Sequence, residues 1–377
     1  MNALPQPILL IGYTARMLAE LAVRAGYAVT ALDYFGDSDL RALGPGRSLL
    51  RDFADKAYSP RALVAASRQV EAPSVVYGAS FENHPELVEA LSTRRLLLGN
   101  TPATLRRVRD PFELAQVLRA DGFVFPQTYG ASAPPAPQPR RWLWKPTRGG
   151  GGTHVRWVTD AIAREGIVQE FVAGMVGSFT FIANGRESIV VGVSEQLMGL
   201  PEFGAQDFRW CGNLSPPRLP DDDVRRIWDQ AHDIARCLTS AFGLRGANGV
   251  DFVWRDQRIW TIEVNPRPSA ALELFDAQYD TRLFDWHVRA CLQQAWPDKV
   301  FAMPDHAVGK AVVFAASDLV VGDTQHWHAQ GIRDVPHPHE AVQRGHPICT
   351  VLARAATPEQ CLTQLRAKAD LVRQSSA

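Results

Sequence analysis

The chain has 377 residues, 46% of them hydrophobic and 21% charged, with 40 Lys and Arg against 40 Asp and Glu. That length supports a substantial core and two or three domains, and the neutral balance removes any electrostatic reason to expect a nucleic-acid groove or an anionic membrane surface. Five widely spaced cysteines (Cys211, Cys237, Cys291, Cys349, Cys361) without a CxxC pair speak against a disulfide framework or a zinc knuckle and for a reducing compartment.

The N-terminus shows no basic region followed by an apolar stretch and a cleavage site, and the apolar run at Pro7–Gly12 is too short to span a bilayer, so a soluble cytoplasmic protein is expected. Ile8–Ile11 reads as a strand, Gly12-Tyr13-Thr14 as a turn and Met17–Ala25 as a helix closed by Gly26. Tyr27–Leu32 resumes as a strand ending on Asp33, and Ser74–Tyr77 and Leu96–Leu98 extend the same sheet. Continuous apolar strands alternating with helices predict a parallel sheet covered on both faces.

Asp110–Ala120 reads as a helix with Pro111 in its first turn and Gly122 as its stop. Phe123–Thr128 is extended, and the Pro- and Ala-rich Ala131–Arg140 is a loop inside a domain. Strands follow at Trp142–Lys145, Gly166–Phe171, Ser178–Ala183 and Ser188–Val193. Asp221–Phe242 is the one long helix, with acidic residues at its positive end. Gly249–Trp254 and Ile259–Val264 flank the turn Arg255-Asp256-Gln257 as an antiparallel pair. Val308–Phe314, a loop rich in His and Pro, Ile348–Ala353 and the helix Pro358–Val372 make a small α+β tail.

Three segments carry chemistry. In the first, the strand Trp142–Lys145 delivers a lysine to Gly149-Gly150-Gly151-Gly152. Successive glycines let backbone N–H groups point at phosphate oxygens, and the lysine supplies a fixed charge; the spacing is not that of a Walker loop. In the second, Glu263 and Asn265 alternate onto one face of their strand, with Asp251 opposite on the preceding one. Two carboxylates and an amide carbonyl suit Mg²⁺, which takes oxygen ligands together with nucleotide phosphates. Arg267 follows on the same side if extension persists through the prolines, placed to neutralise a transferring phosphoryl group. The third, Gln169-Glu170-Phe171-Val172, ends an apolar strand that can run along an adenine edge.

The order of WLWKPTRGGGG, VQEFVAG, GVDFVW and TIEVNPRPS resembles the ATP-grasp superfamily. The leading PILLIGYTARMLAELAVRAGYAVTALDYFGDSDL looks like the pre-ATP-grasp domain of its carboligase-like branch, related to biotin carboxylase, and the tail GHPICTVLARAATPEQC like that branch's small lobe. The resemblance implies a fold of α/β and α+β parts: a Rossmann-like pre-ATP-grasp domain at 1–100, a two-lobed ATP-grasp domain at 101–300 and a small C-terminal lobe at 301–377. It implies that Lys145 contacts the phosphates of ATP, that Gly149 to Gly152 close over them, and that Gln169, Glu170, Phe171 and Val172 form the adenine hinge. Asp251, Glu263 and Asn265 would ligate Mg²⁺, and Arg267 would stabilise an acyl-phosphate step. The implied reaction is ADP-forming ligation of a small-molecule carboxylate to an amine; a homodimer is left open, no segment demanding one.

Two departures stand beside the resemblance. The helix that usually opens this domain with a lysine carries Pro111 there, leaving Arg109 as the candidate replacement, and Ala173–Ser178 lacks the acid that often binds ribose. They motivate two alternatives, a nucleotide-binding regulator with a degenerate site and a small-molecule phosphotransferase. Other features carry less. The turn after Ile11 lacks GxGxxG, and Asp33 reads as a strand-end polar residue and not an NAD ligand. His326, His328, His337, His339 and His346 read as a solvated loop. Glu82, beyond the carboxyl end of Ser74–Tyr77, is a candidate for substrate contact or a helix cap, and Glu195-Gln196 with Arg209–Asn213 are candidates for shaping the pocket. Cys211 has no histidine partner in the sequence nearby and is not read as a nucleophile.

Overall fold

The computed structural model describes residues 4–53, 57–132, 141–158, 165–294 and 301–375, so residues 133–140 of the Pro-rich loop lie outside the described residues. In the N-terminal part, five parallel strands run in the order Gly46–Ser48, Val29–Asp33, Ile8–Ile11, Ser74–Tyr77, Leu96–Leu97. Ile8 stands opposite both Val29 and Ser74. Ile8 to Ile11 are wholly buried, as continuous apolar strands covered on both faces require. The strands Ile8–Ile11 and Ser74–Tyr77 leave the sheet side by side, where a Cβ on Gly12 would sit 3.2 Å from the Gly78 Cα. Asp33 is buried and accepts from the N–H groups of Ala15 and Gly36, so it braces two turns of its own lobe.

The helix Pro111–Ala120 begins as the sequence predicts, with the Asp110 carboxylate accepting from the Phe112 and Glu113 N–H groups. It leads into a four-stranded sheet ordered Thr128–Gly130, Ile167–Glu170, Trp142–Lys145, Arg156–Trp157, all pairs antiparallel. The central sheet has eight antiparallel strands. Arg258–Asn265 is its edge, followed by Arg245–Arg255, Met175–Asn184, Ser188–Met198 and Trp210–Ser215. Asp256 and Gln257 close the expected hairpin, both at positive φ (50° and 58°), which suits the right-handed twist of the strands they join. The long helix Asp221–Phe242 packs Ile227, Ala231, Ile234 and Leu238, a helical stripe, against Phe179, Phe181 and Phe252 of this sheet.

The tail strands Ala307–Phe314 and Pro347–Ala355 pair with each other, and Ala311 stands opposite Gly212, so they continue the central sheet. The helix Pro358–Gln374 covers them. The tail then returns to the N-terminal lobe: Asp39 accepts from the Asp334 and Val335 N–H groups, and Ser38 N–H donates to Val335 O. The five cysteines are buried free thiols, and burial raises the Cys211 thiol to about 11, against a nucleophilic role. Among the described residues no helix is long and apolar enough to cross a membrane, and no group of three or more His, Cys, Asp and Glu side chains could hold a metal ion.

Candidate active site between the sheets

Asp251 and Glu263 stand opposite each other in the central sheet. Asn265 Nδ2 donates to Asp251 Oδ2 at 3.1 Å, and Gln196 Nε2 donates to Asp251 Oδ1 at 2.8 Å. The strand pairing thus brings the predicted oxygen donors together. Burial, and next the adjoining Glu263, push the Asp251 carboxyl up to about 8. Burial also opposes ionisation of Glu263, but Arg109 and Lys145 outweigh it and hold that carboxyl below its usual range. One proton is therefore held on the pair near neutral pH, a typical state for two facing carboxyls. A divalent cation would meet the same need for positive charge, and two carboxylates with one amide suffice for Mg²⁺ when phosphates complete its shell.

Lys145 leaves the end of its strand toward these carboxyls. Its Nζ donates to Gln169 Oε1 at 2.7 Å, and Gln169 Nε2 in turn donates to Thr128 Oγ1 at 3.2 Å. Burial lowers the Lys145 pKa, and Glu263 and Asp251 work against that loss of charge. Arg109 comes from the other side, with Nη1 3.3 Å from Glu263 Oε2 and 3.0 Å from Val264 O. Its Nη2 donates to Asn83 Oδ1 at 3.0 Å, and Asn83 Nδ2 donates to Gly149 O at 3.1 Å. Arg109 and Asn83 thereby join the carboxylate strand, the N-terminal lobe and the glycine loop.

The loop is fixed at its far end as well. Gly151 and Gly152 have φ of 61° and 69°, and Trp210 N–H donates to Gly151 O at 3.0 Å. At the hinge, the N–H groups of Glu170 and Phe171 donate to Gln127 O and Arg141 O, both at 2.8 Å. Val172 is buried, and its N–H has no protein acceptor among the described residues. Phe171 sits in an edge-to-face group with Trp157 (4.8 Å) and Phe208.

Arg267 departs from expectation. The extension does not persist: Arg267 N–H donates to Asn265 O at 2.8 Å, a tight turn through Pro266. The side chain instead reaches Glu82 of the N-terminal lobe at 2.8 Å, where it also feels Asp251 and Glu263. Glu82 is thus an ion-pair partner across lobes and not a helix cap. Of the pair Glu195-Gln196, only Gln196 faces the site; Glu195 takes Arg218 Nε at 3.0 Å.

Sequence reasoning named Asn213 as a pocket candidate but missed the serines that it joins into a polar floor. Ser178 stands opposite Asp251, Ser194 opposite Ser178, and Asn213 Nδ2 donates to both hydroxyls at 3.1 and 3.0 Å. The signal was present in the serines that interrupt otherwise apolar strands. Asn83 was missed too, because its role depends on two distant segments.

A family model described as an ATP-grasp domain matches residues 108–271, the stretch that holds the lysine, the glycine loop, the hinge and the carboxylates. The chain carries an ATP-grasp domain. Solved structures resemble it over nearly its whole length. A biotin carboxylase from Campylobacter jejuni, in a β-γ-ATP complex, is 14% identical with a TM-score of 0.69, covering 98% of this chain and 91% of its own. An L-amino acid ligase from Bacillus licheniformis is 13% identical with a TM-score of 0.67, covering 99% and 98%. N5-carboxyaminoimidazole ribonucleotide synthetase from Thermotoga maritima is 15% identical with a TM-score of 0.63, covering 96% and 97%. At these identities the likeness shows the fold. An uncharacterized protein of Methanocaldococcus jannaschii is 20% identical over an alignment of 374 positions that covers 92% of this chain and 88% of that one. Within the ATP-grasp domain, Pro111 sits in a capped first helical turn, and the preceding Arg109 is the cation that reaches the carboxylate strand.

Proposed function

We propose that the chain is an ADP-forming ligase that joins a carboxylate to an amine through an acyl phosphate. The observation that carries this reading is the opposition of Asp251, Glu263 and Asn265 to Lys145 and Arg109, with the glycine loop beside them. Lys145, Arg109 and the loop N–H groups would hold the phosphates of ATP, and Val172 N–H the adenine edge. Asp251, Glu263 and Asn265 would hold Mg²⁺, which supplies charge neutralisation and orientation of those phosphates.

In the first step a carboxylate oxygen of the substrate bonds to the γ-phosphorus and the bond to the β,γ-bridging oxygen breaks, releasing ADP. In the second the amine nitrogen bonds to the carbonyl carbon, the carbon–oxygen bond to phosphate breaks, and the nitrogen loses its proton to solvent or phosphate. Arg267, paired with Glu82 and sensing the charges of Asp251 and Glu263, would balance the transferring phosphoryl group. The protein's part is positioning and charge, with no covalent intermediate on its own side chains.

The ion pair between Arg109 and Glu263 favours a second reading, because it places a cation of the protein itself on a metal carboxylate, as a nucleotide-binding regulator without turnover would. Thermal stabilisation by Mg²⁺ with a non-hydrolysable ATP analogue decides first, since a ligand of the native state raises the melting temperature by mass action. A rise that shrinks in Glu263→Ala, followed by ADP release that needs both a carboxylate and an amine, is the expected result. Binding without any such release supports the regulator, and no binding at millimolar nucleotide removes both.

A further inference from the structure

The four glycines of the loop divide their backbone groups unequally. Every carbonyl is taken. Gly149 O accepts from Asn83 Nδ2 at 3.1 Å, and Gly150 O from Thr153 Oγ1 at 2.8 Å and Thr153 N–H at 3.3 Å. Gly151 O accepts from Trp210 N–H at 3.0 Å, and Gly152 O from Val155 N–H at 3.3 Å. None of the four N–H groups has an acceptor among the described residues. A trans peptide is planar, with C=O and N–H pointing opposite ways, so a donor on one carbonyl turns the next N–H away from itself. The ties on Gly149 O and Gly151 O therefore orient the N–H groups of Gly150 and Gly152. Backbone N–H groups gathered without acceptors suit an anion.

The tie on Gly149 comes from the N-terminal lobe, and a rigid turn presents it. Asn83 ends the short turn Phe81–Asn83, whose Phe81 is wholly buried in the core of that lobe. Ser80, before the turn, has φ of 86°, strained for any residue but glycine, and its Oγ accepts from Tyr58 OH at 2.6 Å. Glu82, between them, holds Arg267. Both ends of the Asn83 amide are used, for Oδ1 accepts from Arg109 Nη2 at 3.0 Å. An arginine only donates and a carbonyl only accepts, so the amide has one possible orientation. With Val264 O on Nη1, Asn83 fixes the plane of the Arg109 guanidinium. The other ion pair between this lobe and the loop, Arg148 with Glu86, is 3.9 Å long and exposed on both sides, so it adds little.

We propose that Asn83 is a positioning residue of the nucleotide site, orienting Gly150 N–H through Gly149 O and the Arg109 guanidinium through its own Oδ1, so that both meet the phosphates of ATP already aligned. Asn83 itself touches neither phosphate nor substrate. A guanidinium is a planar fork and matches phosphate oxygens only when its plane is set, which is what Oδ1 does. Groups aligned before the ligand arrives lose less freedom on binding it. The N-terminal lobe is thereby part of the device that shapes the glycine loop. The proposal rests on the ligase reading only in taking that loop as the holder of the phosphates.

Limited trypsin digestion of the full chain, followed by mass spectrometry, tests the tie directly. The Arg148–Gly149 bond lies beside it, and its rate of cleavage reads how often the loop opens. Without nucleotide, Asn83→Ala should be cut there about fivefold faster than the native chain, with cleavage at other bonds unchanged. Asn83→Asp keeps an acceptor for Arg109 and loses the donor to Gly149 O, so it should be cut at Arg148–Gly149 as fast as Asn83→Ala. Calorimetric titration with Mg²⁺ and a non-hydrolysable ATP analogue should then show binding about tenfold weaker in Asn83→Ala, at an unchanged melting temperature of the nucleotide-free protein. Native cleavage rates in both variants, faster cutting throughout the chain, or undiminished affinity for the analogue would each overturn the proposal. Weakened analogue binding as expected, with no ADP released from any carboxylate and amine by the native chain, keeps the proposal and removes the ligase reading. A native chain that binds no analogue removes both.

Discussion

At Gly152 a single methyl group decides how the glycine loop lies. A Cβ there would fall 1.7 Å from Phe208 O, and φ of 69° strains any other residue besides. Phe208 O is backbone and cannot swing aside as a side-chain tip would. At Gly150 nothing lies within 4 Å of the same added atom, and φ is not in the left-handed range. Gly152→Ala should therefore lift the loop off Phe208–Trp210, break the bond from Trp210 N–H to Gly151 O and raise the KM for ATP about tenfold. Gly150→Ala should leave KM unchanged. Steady-state kinetics on the two variants side by side would check the idea, and equal effects would mean that the loop's seat on Phe208 plays no part in holding ATP.

Between the elements, one buried histidine joins the central sheet to the N-terminal lobe. His287, on the helix Leu283–Cys291, accepts from Ala247 N–H at Nδ1 (2.9 Å), which leaves Nε2–H to donate to Leu98 O at 3.2 Å. Burial holds its pKa down to about 4, so the ring stays neutral in the fold. The unfolded chain binds this proton at about pH 6.5. The stabilisation is thus fully present above that value and is lost as pH falls from there through 4, amounting to about 3 kcal/mol across the window. Urea unfolding at pH 7 and pH 4.5 should show this loss in the native chain and a smaller one in His287→Asn. An identical loss in both would assign the acid sensitivity to other groups. No sequence pattern announced this joint, because its two partners come from two segments far along the chain from His287. What was legible has local causes. The strand Ile8–Ile11 is apolar throughout and Ser74–Tyr77 is apolar but for its first residue, the helix start follows from Pro111 in the first turn, and the hairpin at Asp256-Gln257 follows from alternation on either side. The facing of Asp251 and Glu263 was legible for that same reason. The path of Arg267 was not, since its partner Glu82 is 185 positions away and the turn at Pro266 breaks the alternation. Likewise Asn83 acquires meaning only when the N-terminal lobe and the glycine loop meet, and Gln196 and Asn213, legible only as pocket candidates, gain their partners when the strands pair.

Over the whole molecule, the three parts of the chain converge on Arg16. It is 1% exposed and lies in the helix Arg16–Arg24 of the N-terminal lobe. Its Nη1 meets Glu273 Oε2 at 2.7 Å, next to the carboxylate strand, and its Nε meets Asp334 Oδ1 at 3.0 Å in the tail. Lys310, on the tail strand that extends the central sheet, pairs with Glu273 from the other side. Burial opposes the charge on Arg16, but Asp334 and Glu273 outweigh it and raise its pKa, and Arg16 in turn holds Asp334 down to about 2. A buried network of this kind adds little over an apolar replacement of the whole, yet removing one member strands its partners. Arg16→Met deletes the guanidinium and keeps much of its apolar length, leaving Asp334 without its main cation and Glu273 with Lys310 alone. The expected cost is about 3–5 kcal/mol, and it should fall on the joint between lobes, because every partner of Arg16 but Glu20 lies outside its own lobe. Calorimetry should then show the N-terminal lobe melting ahead of the central sheet where the native chain melts together. Adding Asp334→Asn to Arg16→Met should recover part of the loss by removing the stranded charge, whereas strictly additive losses in the double variant would show that the two side chains are not coupled.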